Sequence, residues 1–199
     1  MSLAGRIQTL SRALGDELDP VAAERLDRFA QLVRTWNARL DLTAARVDDQ
    51  LIEVLFADAL VLRDRALIAE GASVLDVGSG AGAPAIPLAI VRPDLRVTML
   101  EPLRKRIAFM NTAIGSLDLA GRVKALEGRV DPKRPGAPGG PYDATTARAT
   151  FGPDEWVVIG RALAPSCVLF AAAEPPGGYA HRVDYVLPWS KAPRILARY

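Results

Sequence analysis

The 199-residue sequence is poor in the side chains from which disulfides and metal sites are built. It has one cysteine, Cys167, and one histidine, His181. A single cysteine excludes an intramolecular disulfide and leaves no thiolate set for a metal ion, so no metal is expected. His181 falls late, in a Pro/Gly-rich region, and reads as an exposed loop residue. Lysine is scarce as well, because 21 of the 25 basic residues are arginine. No apolar run approaches the ~20 residues that span a bilayer. The first residues, MSLAGRIQTLSRALGDEL, mix both charge signs with apolar side chains and do not read as a signal peptide. The expectation is a soluble, cytoplasmic chain without a membrane partner.

What is present is a half-hydrophobic composition, enough for one α/β domain with a small elaboration. The net charge is only +2, but it is unevenly placed. Residues 1–70 carry nine Arg/Lys against twelve Asp/Glu, and residues 71–199 carry sixteen against eleven, a local excess of five positive charges. That bias suits an anionic partner without demanding one.

The first seventy residues read as helices over 3–15, from Pro20 to about Leu40, and from about Asp48 to Ala69. Asp19-Pro20 pairs an N-cap with a proline at the first helical position. After it Leu26, Phe29, Val33, Trp36 and Leu40 share one face; Trp36 reads as a core aromatic. From Ser73 onward strands alternate with helices. Strands are expected at 73–77, 96–100, 123–126, 144–147, 167–172, 183–187 and 194–197, and helices at 84–91, 103–117 and 153–163. Such alternation gives right-handed crossovers and a mostly parallel sheet. The last two strands have no helix between them and should form an antiparallel edge hairpin. The run DPKRPGAPGGP, 131–141, is a loop.

One junction stands apart. In VLDVGSGAGAP, Val74–Pro84, three glycines (Gly78, Gly80, Gly82) fall where a strand turns into a helix. Glycine there admits positive φ and close approach of a ligand to the backbone. In an open α/β sheet, ligands bind at the carboxyl ends of the strands. That rim also receives Glu101, at the end of the second strand, and Asp131, shortly after the third. A carboxylate at Glu101 suits two ribose hydroxyls, and one at Asp131 an adenine amino group. The glycine spacing also fits a dinucleotide fingerprint. Against a dehydrogenase stand the absence of Tyr-x-x-x-Lys, the badly placed histidine, and Asp76 two residues before the first glycine. That placement is found in S-adenosylmethionine enzymes.

Further matches accompany the Asp76–Gly82 loop: Trp36-Asn37 with Leu42-Thr43, Asp58, Ile86-Pro87-Leu88, Ile90-Val91-Arg92-Pro93, Lys105-Arg106, Arg129-Val130-Asp131 and Arg148-Ala149. In these residues the chain is similar to the bacterial small-subunit (16S) rRNA guanine-N7 methyltransferases, the glucose-inhibited division protein B family. The resemblance implies a Rossmann-like methyltransferase fold over 71–199, with residues 1–70 as a helical extension packed on it. It implies S-adenosylmethionine as cofactor, held by Gly78, Ala83, Val130, Asp131 and Arg148, with Asp76, Gly80, Gly82 and Glu101 alongside. The implied partner is rRNA or the small ribosomal subunit, with Lys105 and Arg106 on phosphates.

Arg148 is the candidate for aligning the target base, the alternative being an ion pair with Glu101 or Asp131. Guanine N7 carries a free lone pair, so methylation there needs no base to remove a proton, and alignment carries the catalysis. The chain departs from the family at Asp41 (family Asn), Leu55 (His), Ala59 (Ser), Ala147 (Ser) and Ala172-Ala173-Glu174 (Leu-Lys-Gly). These losses are expected on the substrate side. They keep open another RNA site, a small-molecule acceptor, or a ribosome-binding protein without activity.

Overall fold

A computed structural model describes all 199 residues. Three helices come first: α1 (Leu3–Ala13), α2 (Pro20–Leu40) and α3 (Asp48–Val61). Then follow β1 (Ser73–Val77), α4 (Ala85–Val91), β2 (Arg96–Glu101), α5 (Arg104–Ser116), β3 (Val123–Glu127), β4 (Ala144–Ala147), α6 (Pro153–Leu163), β5 (Ser166–Ala171), β6 (His181–Val186) and β7 (Pro193–Arg198). The seven-stranded sheet has the order β3-β2-β1-β4-β5-β7-β6. Its first five strands are parallel, and β7 lies antiparallel between β5 and β6. The chain winds outward from β1 to β3 and then returns to β4 on the other side, so the topological switch point lies between β1 and β4.

Local chemistry accounts for the helix starts. Asp19 caps α2, its Oδ1 accepting from the N–H groups of Val21 and Ala22 at 3.0 Å each, with Pro20 at the first helical position. Leu26, Phe29 and Val33 of α2 are fully buried. Phe29 packs against Phe56 and Phe109 at centroid distances of 6.3 and 6.4 Å. One contiguous core runs from Leu3 in α1 to Leu196 in β7. The helices before the sheet therefore share its interior.

Two expectations need correcting. The third helix stops at Val61 rather than Ala69. Asp64 offers the backbone another partner, accepting from Ala66 N through its side chain and from Leu67 N through its carbonyl. Such local bonding competes with a continuing helix. His181, expected in an exposed loop, begins β6, and its Nε2 lies 2.8 Å from Asp64 Oδ2.

The Trp36-Asn37…Leu42-Thr43 motif is structural. Asn37 clasps Thr43 in both directions, accepting from its N–H and donating to its carbonyl, while Trp36 rests on Phe109 with centroids 5.7 Å apart.

Arg92 of the IVRP run is buried. It donates to the carbonyls of Ile68 and Ala69 and grips Asp94 through Nε and Nη2 at 2.8 and 2.7 Å. The guanidinium holds the Asp94 carboxyl far below its ordinary range, with the Gly71 N–H adding to the effect and burial opposing it. Arg92→Ala should cost about 3 kcal/mol of stability, because it strands a partly buried carboxylate and two carbonyls. A carboxyl depressed in the folded state stabilises above its unfolded value and loses that contribution as pH falls. Asp94→Asn should therefore be destabilised at pH 7, and its gap to the wild type should begin to narrow only below about pH 4 and shrink steadily as the pH is lowered further. Urea melts across pH test both.

Candidate cofactor and acceptor sites

The glycine loop leaves β1 at the switch point. Gly78, Gly80 and Gly82 all have positive φ, at 75°, 56° and 76°, but their surroundings differ. A Cβ on Gly78 would lie 2.3 Å from Thr150 Oγ1, and one on Gly82 would lie 2.6 Å from Ile86 Cδ1. These two glycines let the loop pack against its own protein. Around Gly80 the nearest atoms to such a Cβ are Gly78 O at 3.9 Å and Arg106 Nη1 at 4.0 Å. Gly80 thus forms an open cradle.

Two buried carboxylates flank it. Asp76 lies in β1, where Thr146 Oγ1 donates to its Oδ1 at 2.7 Å; its Oδ2 is buried without a partner in the protein. Burial pushes its pKa up, against the hydrogen bond from Thr146, the nearby Ser79, whose hydroxyl donates to the Asp76 carbonyl, and the charge of Arg148. Glu101, also buried, accepts from Gly80 N at 2.9 Å with one oxygen and from Leu103 N at 3.0 Å with the other. It braces the loop as well as facing the rim. Val130 is buried, whereas Asp131 is exposed and accepts from Lys133 N. The cradle and the orphaned oxygen of Asp76 fit a ligand with a hydrogen-bond donor and a sugar, which matches S-adenosylmethionine.

Arg148 follows β4, and its ion pair is a correction. Nη1 donates to Val54 O at 2.7 Å and Asp58 Oδ2 at 2.8 Å, and Nη2 donates to Ala83 O at 3.0 Å. Asp58, not Glu101 or Asp131, is its carboxylate. One side chain thereby ties α3 to the end of the glycine loop. The other oxygen of Asp58 accepts from the Tyr185 hydroxyl. Burial, the Asp58 charge and that bond push the phenol well above its ordinary pKa. The expected basic pair separates too: Lys105 is exposed, while Arg106 turns in toward Glu101, with Nη1 3.9 Å from Oε1.

Beyond Arg148 opens a cavity of about 670 Å³ between α3, the ends of β4 and β5, and the β6–β7 hairpin. Phe151, Trp156, Phe170 and Tyr185 contribute aromatic surface, and Glu53, Asp58 and Arg148 the charge. Phe151 and Trp156 stack, 5.7 Å apart and 9° from parallel. Glu53 is 5% exposed, and its Oε1 accepts from Trp189 N and Ser190 N at 2.8 and 3.1 Å. Ala147 lines this cavity, but Leu55 and Ala59 do not: both belong to the core. Those two departures are core residues, not losses from a substrate face.

Composition and spacing missed Glu53 and Tyr185. Two acids inside the otherwise apolar run LIEVLFADALVL were the available signal, since a buried carboxylate needs a reason.

The family described as rRNA small subunit methyltransferase G, GidB, matches residues 22–172. The chain belongs to this family. It is 39% identical to ribosomal RNA small subunit methyltransferase G of Anaeromyxobacter dehalogenans (strain 2CP-C), covering 94% of this chain and 92% of that one. It is 36% identical to the protein of that name from Anaeromyxobacter sp. (strain Fw109-5), over 96% and 95% of the two chains. Among solved structures, the METTL16 methyltransferase domain superposes with a TM-score of 0.56 at 10% identity, covering 89% of this chain and 79% of that one. This likeness carries the Rossmann-like methyltransferase fold. As a GidB-family chain the protein is an S-adenosylmethionine-dependent methyltransferase.

Proposed function

We propose that this methyltransferase acts on small-subunit rRNA and transfers its methyl group to N7 of a guanine. The observation that carries the guanine reading is the aromatic cavity beside the cofactor loop, with one carboxylate oxygen, Glu53 Oε2, that has no hydrogen-bond partner in the protein. Both oxygens of Asp58 are already engaged. A carboxylate acceptor selects a base that presents N–H donors side by side. Guanine does so through N1–H and its 2-amino group, whereas adenine presents a bare N1.

Asp76, Gly80 and Glu101 hold the cofactor, with Gly78, Gly82, Ala83, Val130 and Asp131 completing its rim. S-adenosylmethionine, when bound, supplies an activated methyl group. Because N7 has a lone pair and no proton, the site needs no general base. His181, paired with Asp64, is not among the cavity's lining residues. Arg148 acts as a positioning residue that fixes the cofactor loop against the α3 wall of the acceptor cavity. Residues 1–70 are then an extension whose third helix completes the site.

Lys105, exposed on α5, meets an RNA phosphate, and Arg106 stays by the loop. No helix is long and apolar enough to cross a membrane, and the proposed setting is the cytoplasm, where small subunits are found.

Incubating the protein with small ribosomal subunits and S-adenosylmethionine should yield 7-methylguanosine in digested rRNA by mass spectrometry. Another methylated nucleoside would move the reading to a different acceptor, and methylation of a small molecule alone would remove RNA. Glu53→Gln keeps an oxygen for Trp189 and Ser190 but replaces the free acceptor. It should lower kcat/KM about 10–100-fold, the loss of one hydrogen bond to a charged group. Inosine at the target, which lacks the 2-amino group, should penalise wild type more than Glu53→Gln. Equal penalties would take Glu53 off the base.

A further inference from the structure

At the opposite end of the sheet, where β1 to β4 begin, lies a second cavity of about 500 Å³. Arg96 at the start of β2, Arg122 just before β3 and Lys124 within β3 line it, with Ser73, Tyr142 and Asp143. The single acid is already occupied: Asp143 Oδ2 accepts from Ser73 N and Ser73 Oγ at 2.7 and 2.6 Å, which hold its carboxyl below the ordinary range.

Arg122 has no such partner. Its Nη1 is buried and makes no hydrogen bond. Burial and the nearby charge of Arg25 push its pKa down, only partly offset by Asp94. A buried guanidinium N–H without an acceptor is costly, and three cations line the cavity against one acid whose carboxylate is already hydrogen-bonded to Ser73.

We propose that this cavity binds a phosphate group, and that the phosphate belongs to the backbone of an RNA. Arginine's planar fork suits phosphate oxygens, and the exposed Arg96 and Lys124 give a phosphate access from solvent. The loop that supplies Gly139 and Pro141 to the wall also carries Lys133 and Arg134, both exposed. Arg134 is bridged to Asp131 at the rim end of that loop, so positive charge lies at both ends of it, an arrangement that suits a chain of phosphates better than one free ion. β1 and β2 have five and six residues, so this site stands about 17–20 Å from the cofactor rim, at ~3.3 Å per residue. An RNA whose base enters the acceptor cavity would be held at a second point by a distant segment. The phosphate site stands on its own geometry, and its RNA source rests on the proposed function.

The test compares wild type, Arg122→Met, and Arg122→Met with Lys124→Ala. Thermal melts are run with and without inorganic phosphate, and a small-subunit rRNA fragment is titrated across salt. Without anions, Arg122→Met should melt no lower than wild type, since it removes an unpartnered half-buried charge. Phosphate should raise the wild-type melting temperature and leave the double variant unmoved. The log–log salt slope of RNA binding should fall by about 1.4–1.8 units in the double variant, at 0.7–0.9 per contact, with S-adenosylmethionine affinity unchanged.

A lower melting temperature in Arg122→Met with an undiminished phosphate response would make Arg122 structural and overturn the site. A lost phosphate response with an unchanged RNA slope would overturn the RNA source. If wild type binds no RNA at any salt, the acceptor reading fails, while the phosphate melts still decide whether the site exists.

Discussion

Gly80→Val is expected to abolish S-adenosylmethionine binding in a protein that still folds. The two effects separate because of where the side chain goes. At Gly80 a Cβ meets nothing closer than 3.9 Å, so valine does not strike the protein; it fills the space a ligand would use. The remaining cost is conformational. Holding a branched residue at φ +56° costs about 1–2 kcal/mol.

Gly78→Val and Gly82→Val are the controls, since their Cβ atoms would run into Thr150 and Ile86 at 2.3 and 2.6 Å. They should lose stability first, and binding with it. Calorimetric titration beside thermal melts distinguishes the cases. A Gly80→Val protein with wild-type affinity would remove the loop from the cofactor site, and one that fails to fold would mean Gly80 packs as its neighbours do.

That contrast also marks what the sequence could convey. The order of strands and helices was legible because each element carries its own periodicity and punctuation: Asp19-Pro20 before α2, the glycines after β1, the breakers of 131–141. Local pattern could not supply pairing partners. Arg148 was visible as a candidate site residue, but its carboxylate, Asp58, lies 90 positions earlier and shares no local signal with it. The same holds for Tyr185, 127 residues from Asp58, and for Glu53 beneath the turn at Trp189.

Some family motifs proved to serve the scaffold. Asn37 latches a turn, and Arg92 clamps Asp94 beneath the loop that precedes β1. A motif records that residues are needed together, and only the fold says whether a ligand or a packing contact needs them. Leu55 and Ala59 make the point in reverse. As replacements for polar residues they looked like lost function, yet both are buried members of the core.

Arg148→Ala should cut methyl transfer about 100-fold or more, well beyond its effect on RNA binding. The guanidinium is the only side chain that bonds at once to α3, through Val54 O and Asp58, and to the glycine loop, through Ala83 O. Removing it frees the cofactor loop from the wall of the acceptor cavity, and a misplacement of about 1 Å between reacting atoms costs a factor of that size. Asp58 would keep only the Tyr185 hydroxyl, so some stability is lost too, about 2–3 kcal/mol by the reasoning for a partly buried pair that loses one member.

The two losses are separable. Arg148→Lys restores the charge but cannot reach three acceptors in different directions; it should recover stability and not rate. Tyr185→Phe removes only the second bond to Asp58 and should lower the rate less. Single-turnover kinetics on folded protein, with S-adenosylmethionine saturating, would report kcat free of binding. A kcat that recovers in Arg148→Lys in step with its melting temperature would reduce Arg148 to a stabilising ion pair. A kcat that stays low in a stable Arg148→Lys protein is the signature of a residue that sets the distance between the two halves of the site.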